Sequence, residues 1–376
     1  MTSTLTRRSF IRQSLIPCLA GGAALAAIAP AAWPAALPDS RRKVDIYGHR
    51  GACALRPEHT LASYAKAIAD GADFIEPDLI CTRDGVLVAA HEINITGVTD
   101  VARRAQFAGR RTSKTIDGIR SSGWFADDFT LAELKTLRRI EPMPLVRPSN
   151  MQYDGMFQIL TWDEIIDFVA AESATSGRLI GLVPELKNSS YHGAAGLAME
   201  ERFLQSIEAH EYTRRAPLHI QSLEIANLKQ LRKQLGAREH IKLMQLIDID
   251  TQYPGDVLAS RGDTTFAQMC SPEGLRQIAQ YADIVAPSKR ALIATESDGK
   301  LGAPSALIGH AHQAGMKVVT WTFRPENRYL PPALRSADGA NARHDAGMLA
   351  ELRRYIDAGI DGLFCDDPAL ALRALA

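Results

Sequence analysis

From residue 44 to the C-terminus, short apolar runs alternate with stretches of helical periodicity. The runs are VDIYGH (44–49), DFIEPDLI (73–80), VLVAAH (86–91), LIGLVPELK (179–187), LHIQSL (218–223), IKLMQLI (241–247), DIVAPS (283–288), KVVTWTF (317–323) and GLFCDD (362–367). Each has the length of a buried strand rather than a helix. Between most of them lie segments such as TLASYAKAIADG, WDEIIDFVAAES, SALIGHAHQAG and GMLAELRRYIDAG, the last three closed by Gly or polar caps. Repeated strand–helix alternation predicts a parallel sheet with helices packed outside it. About eight such units point to an α/β fold of the (β/α)8 TIM-barrel type rather than an open doubly wound sheet. No G-x-G-x-x-G follows a strand, which argues further against a dinucleotide-binding sheet.

Two irregularities modify that picture. Nine runs are one more than a barrel needs. Those at 73–80 and 86–91 are joined only by CTRDG (81–85), too short for a crossover helix. One run is therefore surplus, and the pattern does not say which. Residues 93–160 carry many charges, scattered Gly and Pro, and only short helical patterns such as TLAELKTLRR. A gap of that length within a barrel predicts an inserted small subdomain or lid at the functional face. The barrel domain is thus expected to span 44–376.

Lys and Arg number 43 against 43 Asp and Glu, a formal net charge of zero. No global field favours nucleic acid or an anionic membrane, so recognition of a phosphate has to be local. Ahead of the barrel, MTSTLTRRSFIRQ, SLIPCLAGGAALAAIA and APAAWPAALPDS give a basic, an apolar and a small-residue region in order. Residues 1–35 read as an export signal cut near Ala31. Arg7-Arg8 followed by Ser9-Phe10 resembles the twin-arginine type, which implies the twin-arginine export machinery as partner and a periplasmic location. The apolar stretch is short for crossing ~30 Å of hydrocarbon, so stable membrane insertion after cleavage is not expected. Pro17 before Cys18 fits a lipoprotein site poorly. The mature cysteines Cys53, Cys81, Cys270 and Cys365 have no CxxC spacing for zinc. Buried free thiols are expected, with Cys53 and Cys81 the first pair to test for a disulfide.

A barrel gathers its active site at the C-terminal ends of its strands. There the runs end in His49-Arg50, in Glu76-Pro-Asp78, in His91-Glu92 and in Glu185-Leu-Lys187. Positions two apart on a strand share a side, so Glu76 with Asp78, and Glu185 with Lys187, face one way. Taken singly, each has a plain structural reading as a hydrogen-bonded strand end, a solvated edge or an ion pair. Together, three carboxylates directed into one mouth would repel and resist ionisation unless a divalent cation balanced them. All-oxygen ligands favour calcium or magnesium. Such a cation with Arg50 and Lys187 would neutralise a phosphodiester, and His49 and His91 would serve as base and acid. No G-x-S-x-G elbow supports a serine nucleophile.

These segments resemble the glycerophosphodiester phosphodiesterase family: HRGACALRPEHT (49–60), GADFIEPDL (71–79), TRDGVLVAAHE (82–92), VTDVA (98–102), PELK (184–187) and LFCDDP (363–368). VTDVA, and PEHT in place of the commoner P-E-N-T, look most like the periplasmic glycerol-phosphate branch. The resemblance implies hydrolysis of deacylated phospholipid headgroups, glycerophosphodiesters, to sn-glycerol 3-phosphate and an alcohol. It places His49 and His91 as the acid–base pair. Glu76, Asp78 and Glu185 fall on its ligands to a divalent cation, calcium first with magnesium as the alternative, and Arg50 and Lys187 on its phosphate contacts. Trp321 and Arg324 fall on the pocket lining. Glu92 departs from the family's usual Asp after the second histidine, which puts the orientation of His91 in question. Two rivals remain at this level. One is a phosphatidylinositol-type phospholipase C acting on intact lipid, and the other a non-catalytic surface protein binding on the same barrel.

Overall fold

The computed structural model describes residues 44–248 and 252–376, so the export-signal segment 1–35 lies outside the described residues. In chain order the strands are β1 (Asp45–Gly48), β2 (Phe74–Ile75), β3 (Asp78–Cys81), β4 (Leu87–Ala89), β5 (Thr112–Ile116), β6 (Ile119–Gly123), β7 (Gly181–Leu182), β8 (Glu185–Leu186), β9 (Leu218–Ser222), β10 (Ile241–Ile247), β11 (Ile284–Pro287), β12 (Lys317–Phe323) and β13 (Gly362–Cys365). Parallel pairing runs β1, β2, β7, β9, β10, β11, β12, β13 and back to β1, which closes an eight-stranded barrel. β3 continues β2, and β8 continues β7, beyond breaks at Glu76-Pro77 and Val183-Pro184, where proline cannot donate to a ladder.

The surplus run is 86–91. β4 folds back antiparallel on β3, with Leu79 opposite Ala89 and Cys81 opposite Leu87, across a turn whose Gly85 takes φ +79°. A two-residue-period return of this kind needs no crossover helix. It brings residue 91 back beside the barrel mouth.

Alternation along the strands writes two layers into the barrel interior. Tyr47, Phe74, Val183, Met244, Ile284, Val319 and Phe364 form a lower apolar layer. Two residues further along their strands stand His49, Glu76, Glu185, Leu246, Ala286, Trp321 and Asp366, mostly at the mouth. Space in the lower layer is tight: a Cβ on Gly181 would lie 2.2 Å from the Phe74 ring. A larger core lies outside the strands, beneath helices such as Leu61–Ala69, Trp162–Ser176 and Asp345–Asp357. Trp162–Ser176 begins at a capping box of Thr161 and Glu164.

Residues 93–160 leave the barrel between β4 and that helix. They hold short 3₁₀ segments of three to six residues, the exposed hairpin β5–β6, and a hydrophobic cluster of their own around Phe107, Trp124, Phe125, Phe129, Leu134 and Leu137. That cluster packs on Ile80 and Val88, the outward side chains of the β3–β4 return. Cys53, Cys81 and Cys365 are buried free thiols, and Cys270 is partly buried.

His219 occupies the lower layer among aromatic rings, 4.3 Å from Phe74 between centroids, and is hydrogen-bonded through Nδ1 to Tyr47 Oη at 2.8 Å. Burial pushes its pKa from the ordinary 6.5 down to about 3. Between those values the unfolded chain takes up a proton that the folded chain refuses, so stability falls as pH drops below about 6.5. At pH 5 this one histidine accounts for about 2 kcal/mol. His219→Gln should flatten the fall in unfolding free energy between pH 7 and pH 5 by that amount, measured by urea denaturation. An unchanged slope would refute the assignment.

Candidate active site

Strand register decides which side chains meet. β1 pairs with β13 so that Gly48 lies opposite Cys365, and the next residues, His49 and Asp366, stand side by side. His49 Nδ1–H donates to Asp366 Oδ1 at 2.5 Å. On the other flank Gly48 faces Ile75, which sets His49 Nε2 3.9 Å from Glu76 Oε2. β3 and β8 align Asp78 with Glu185, and β8 and β9 align Glu185 with Gln221. Oxygens of Glu76, Asp78 and Glu185 consequently lie within 4.8 Å of one another, all three residues buried.

The loop after β1 folds around this cluster in left-handed backbone, Arg50 at φ +55°, Gly51 at +88° and His59 at +53°. A side chain at Gly51 would collide with Ser63 Oγ at 2.4 Å, so only glycine fits the turn. The bend aims the Arg50 backbone N–H at Glu76 Oε2, 3.0 Å. The Arg50 guanidinium donates to Glu58 Oε2 at 2.8 Å and lies 3.4 Å from Asp78 Oδ2. Lys187 Nζ pairs with Glu185 Oε1 at 3.1 Å.

The three carboxylates respond differently to the same burial. Desolvation and the neighbouring Asp78 push Glu76 well above the usual carboxylate range. Desolvation raises Glu185 to about 7 against the pull of Lys187. Asp78 goes the other way: burial opposes its charge, but the His59 hydrogen bond and nearby cations hold it well below the usual range. Fewer cations than carboxylates thus contact this cluster. A second ligand-like group, His49, Cys53 and Asp366, differs because the guanidinium of Arg147 already touches both Asp366 and Cys53. The all-oxygen, under-neutralised set is the one that fits a hard divalent cation.

His91, a third exposed, reaches the mouth on the β4 return, and Glu92 accepts from its Nδ1 at 2.9 Å. The longer Glu therefore still orients the ring. Burial, with Arg50 and Lys187 adding, pushes His91 to about 4. Burial likewise takes His49 to about 4, against the pull of Asp366. Both imidazoles are neutral at pH 7, each with Nδ1–H held by a carboxylate and Nε2 left for chemistry.

His49, Arg50, Glu76, Asp78, His91, Glu185, Lys187, Trp321 and Arg324, all nine residues expected from the sequence, line one cavity of about 720 Å³. Trp321 donates its indole N–H to the Ala286 carbonyl at 2.8 Å, and Arg324 Nε lies 3.3 Å from Asp366 Oδ2. Sequence reasoning missed four supporting residues. Asp366, two residues beyond interior Phe364, and Gln221, two beyond interior His219, were readable from strand parity alone. Gln221 donates to Glu76 Oε1 at 2.8 Å. His59, inside HRGACALRPEHT, donates Nε2–H to Asp78 at 3.0 Å while Nδ1 accepts from Tyr64 Oη at 2.9 Å. Arg147 comes from the insertion, where no periodicity announced it.

A closed barrel gathering these groups at its C-terminal mouth is an enzyme built to handle an anionic ester. The chain belongs to the glycerophosphoryl diester phosphodiesterase family, whose description matches residues 49–370. A glycerophosphodiester phosphodiesterase of Arabidopsis thaliana is 29% identical over 332 residues, covering 85% of this chain and 82% of that one. One from Treponema pallidum is 29% identical over 309 residues, covering 78% and 83%. Among solved structures, a phosphodiesterase of Oleispira antarctica in complex with the product sn-glycerol-3-phosphate shares the fold at TM-score 0.54 and 17% identity, covering 88% and 96%. A second solved structure, from Silicibacter pomeroyi, does so at 0.59 and 20%, covering 89% and 93%.

Truncating His59 would leave Asp78 with Arg50 alone and the Tyr64 hydroxyl without its acceptor, both in a buried place. His59→Ala should cost about 2–4 kcal/mol of folding stability. His59→Asn, which can still donate to Asp78, should recover part of it in the same denaturation experiment.

Proposed function

We propose that the protein hydrolyses glycerophosphodiesters to sn-glycerol 3-phosphate and the free alcohol. The observation that carries this reading is the meeting of the Glu76–Asp78–Glu185 cradle with His49 and His91 in one cavity of a chain that belongs to this family. The named activity of the Arabidopsis and Treponema relatives, and the product bound to the Oleispira enzyme, support the same substrate class. Glu76, Asp78 and Glu185 would hold the divalent cation, calcium by preference. Bound there, it would supply positive charge to the phosphate as negative charge grows on it.

Arg50 and Lys187 are the chain's own cations for the anionic phosphate. One histidine takes a proton through Nε2 from the attacking oxygen, that of water or of the neighbouring glycerol hydroxyl, and the other gives a proton to the alcohol oxygen as the P–O bond breaks. Burial keeps both neutral in the free site, and at His91 the nearby Arg50 and Lys187 add to it. An arriving phosphate offsets those cations and eases protonation of the histidine that acts as acid.

Purified mature protein should release glycerol 3-phosphate from glycerophosphocholine, and EDTA should stop it until calcium is restored. His49→Ala and His91→Ala should each lower kcat by about 100-fold or more. Calcium at 100 times its Kd should stabilise the folded protein by about 2.7 kcal/mol, a shift that Glu76→Gln removes. Full activity after both chelation and His91→Ala would sink this mechanism. Release of diacylglycerol from an intact phospholipid in the same panel would favour the phospholipase alternative.

The N-terminal pattern supports export through the twin-arginine route to the periplasm. Replacing Arg7 and Arg8 by lysines should leave uncleaved precursor inside the cell, visible by fractionation and blotting. Unaltered export would exclude that route.

A further inference from the structure

We propose that Arg147 is a positioning residue for hydrolysis, fixing Asp366 against His49, so that the insertion 93–160 is part of the catalytic assembly and not only a cover. The proposal rests on the reading of His49 as an acid–base group. Arg147 lies in the insertion, 94 positions from Cys53, 179 from Glu326 and 219 from Asp366, yet its buried guanidinium touches all three. Nε donates to Glu326 Oε1 at 2.7 Å, and one NH₂ group also reaches Glu326 Oε2 at 3.3 Å. The other donates to the Cys53 carbonyl at 2.9 Å, with Cys53 Sγ at 3.3 Å. The group facing Glu326 also binds Asp366 Oδ2.

Every nitrogen of the fork therefore has an acceptor, and the geometry is one that only a planar, rigid cation satisfies. Glu326 sets the plane of the guanidinium, and the guanidinium sets Asp366. The opposite oxygen of Asp366 then meets His49 Nδ1, which turns Nε2 toward the cavity. Among the described residues the other cation on Asp366 is Arg324, 3.3 Å away and a quarter exposed. Without Arg147, the carboxylate is free to follow Arg324 toward the cavity and release the ring.

Docking of this part of the insertion does not hang on Arg147. Asn150 bridges the Cys53 carbonyl at 3.1 Å and Glu141 at 2.9 Å, and Asn341 donates to the Leu145 carbonyl at 3.0 Å. Variants at 147 are thus expected to keep the fold.

The test is a double-mutant cycle on glycerophosphocholine hydrolysis with saturating calcium. Arg147→Met should lower kcat roughly 100-fold, the scale of a misplaced catalytic group, while KM moves less than about threefold. The calcium-induced rise in melting temperature should persist. In a His49→Ala background the same substitution should cost less than about threefold, because its route to the chemistry is gone. In a His91→Ala background it should keep its full effect. Wild-type kcat in folded Arg147→Met, or an equal loss in the His49→Ala background, would overturn the proposal. Should Arg147→Met fail to fold, Glu326→Gln, which frees one end of the fork, decides by the same cycle. A His49→Ala enzyme of undiminished activity would instead show that the underlying reading of His49 is wrong.

Discussion

Three carboxylates in a buried mouth repel one another, and much of the molecule around them is arranged to tolerate it. Glu76, Asp78 and Glu185 approach within 4.8 Å because parallel register and side-chain alternation leave them nowhere else to point. The protein does not neutralise all three. His59 and Arg50 keep Asp78 charged, Lys187 partly compensates Glu185, and Glu76 is left with neutral donors from Gln221 and the Arg50 backbone. Complete compensation would give a closed buried network with no charge left over for a cation, of the kind that arginine builds around Asp366. Partial compensation would leave affinity for a hard cation. Function here takes the form of an electrostatic deficit held in place by a stiff fold.

That stiffness comes from the same alternation that creates the problem. On β1, Tyr47 points into the apolar layer and His49 into the mouth. On the second barrel strand Phe74 precedes Glu76, and on β13 Phe364 precedes Asp366. A one-residue slip would bury the charges among helices and expose the core. Stability and site geometry are therefore not separable along these strands, and the tight fit of Phe74 against Gly181 guards the register of both.

How much of this was legible in the sequence follows from which residues obey a period. The barrel strands do, and so do His49, Glu76, Asp78, Glu185 and Lys187 at their ends, which parity and the rule that barrel sites form at C-terminal ends bring together. Arg50 enters through the bend after β1 and His91 through the β4 return, and Trp321 and Arg324 were legible only through the family resemblance. Asp366 and Gln221 obey parity too and were available to the same argument. The surplus strand was countable but not assignable, because VLVAAH has the apolar content of a barrel strand. What makes it a return is the short turn before it and the insertion's cluster waiting for Ile80 and Val88. Arg139 and Arg147 obey no period. They are arginines in an irregular segment rich in exposed charge, and nothing local separates them from their neighbours. Burial marks them out, and it arises from tertiary docking.

The insertion's arginines also resolve why a barrel would carry so long an excursion between its second and third strands. Arg139, almost wholly buried, donates to the Glu58 carbonyl at 3.2 Å, and Glu58 in turn holds the Arg50 guanidinium. Arg147 reaches the opposite side of the same loop through Cys53 and Asp366. The loop HRGACALRPEHT, with three residues in left-handed backbone, is thus gripped from both flanks by one inserted segment. Left-handed non-glycine residues cost of order 1–3 kcal/mol each and persist only where the surroundings over-determine them. Arg139 on the Glu58 carbonyl, and Asn150 beside Arg147 on the Cys53 carbonyl, supply that over-determination together. A lid that merely covered the mouth could be built from any polar hairpin. One that holds a strained loop at the mouth needs charged groups carried deep beneath it, as Arg139 and Arg147 are.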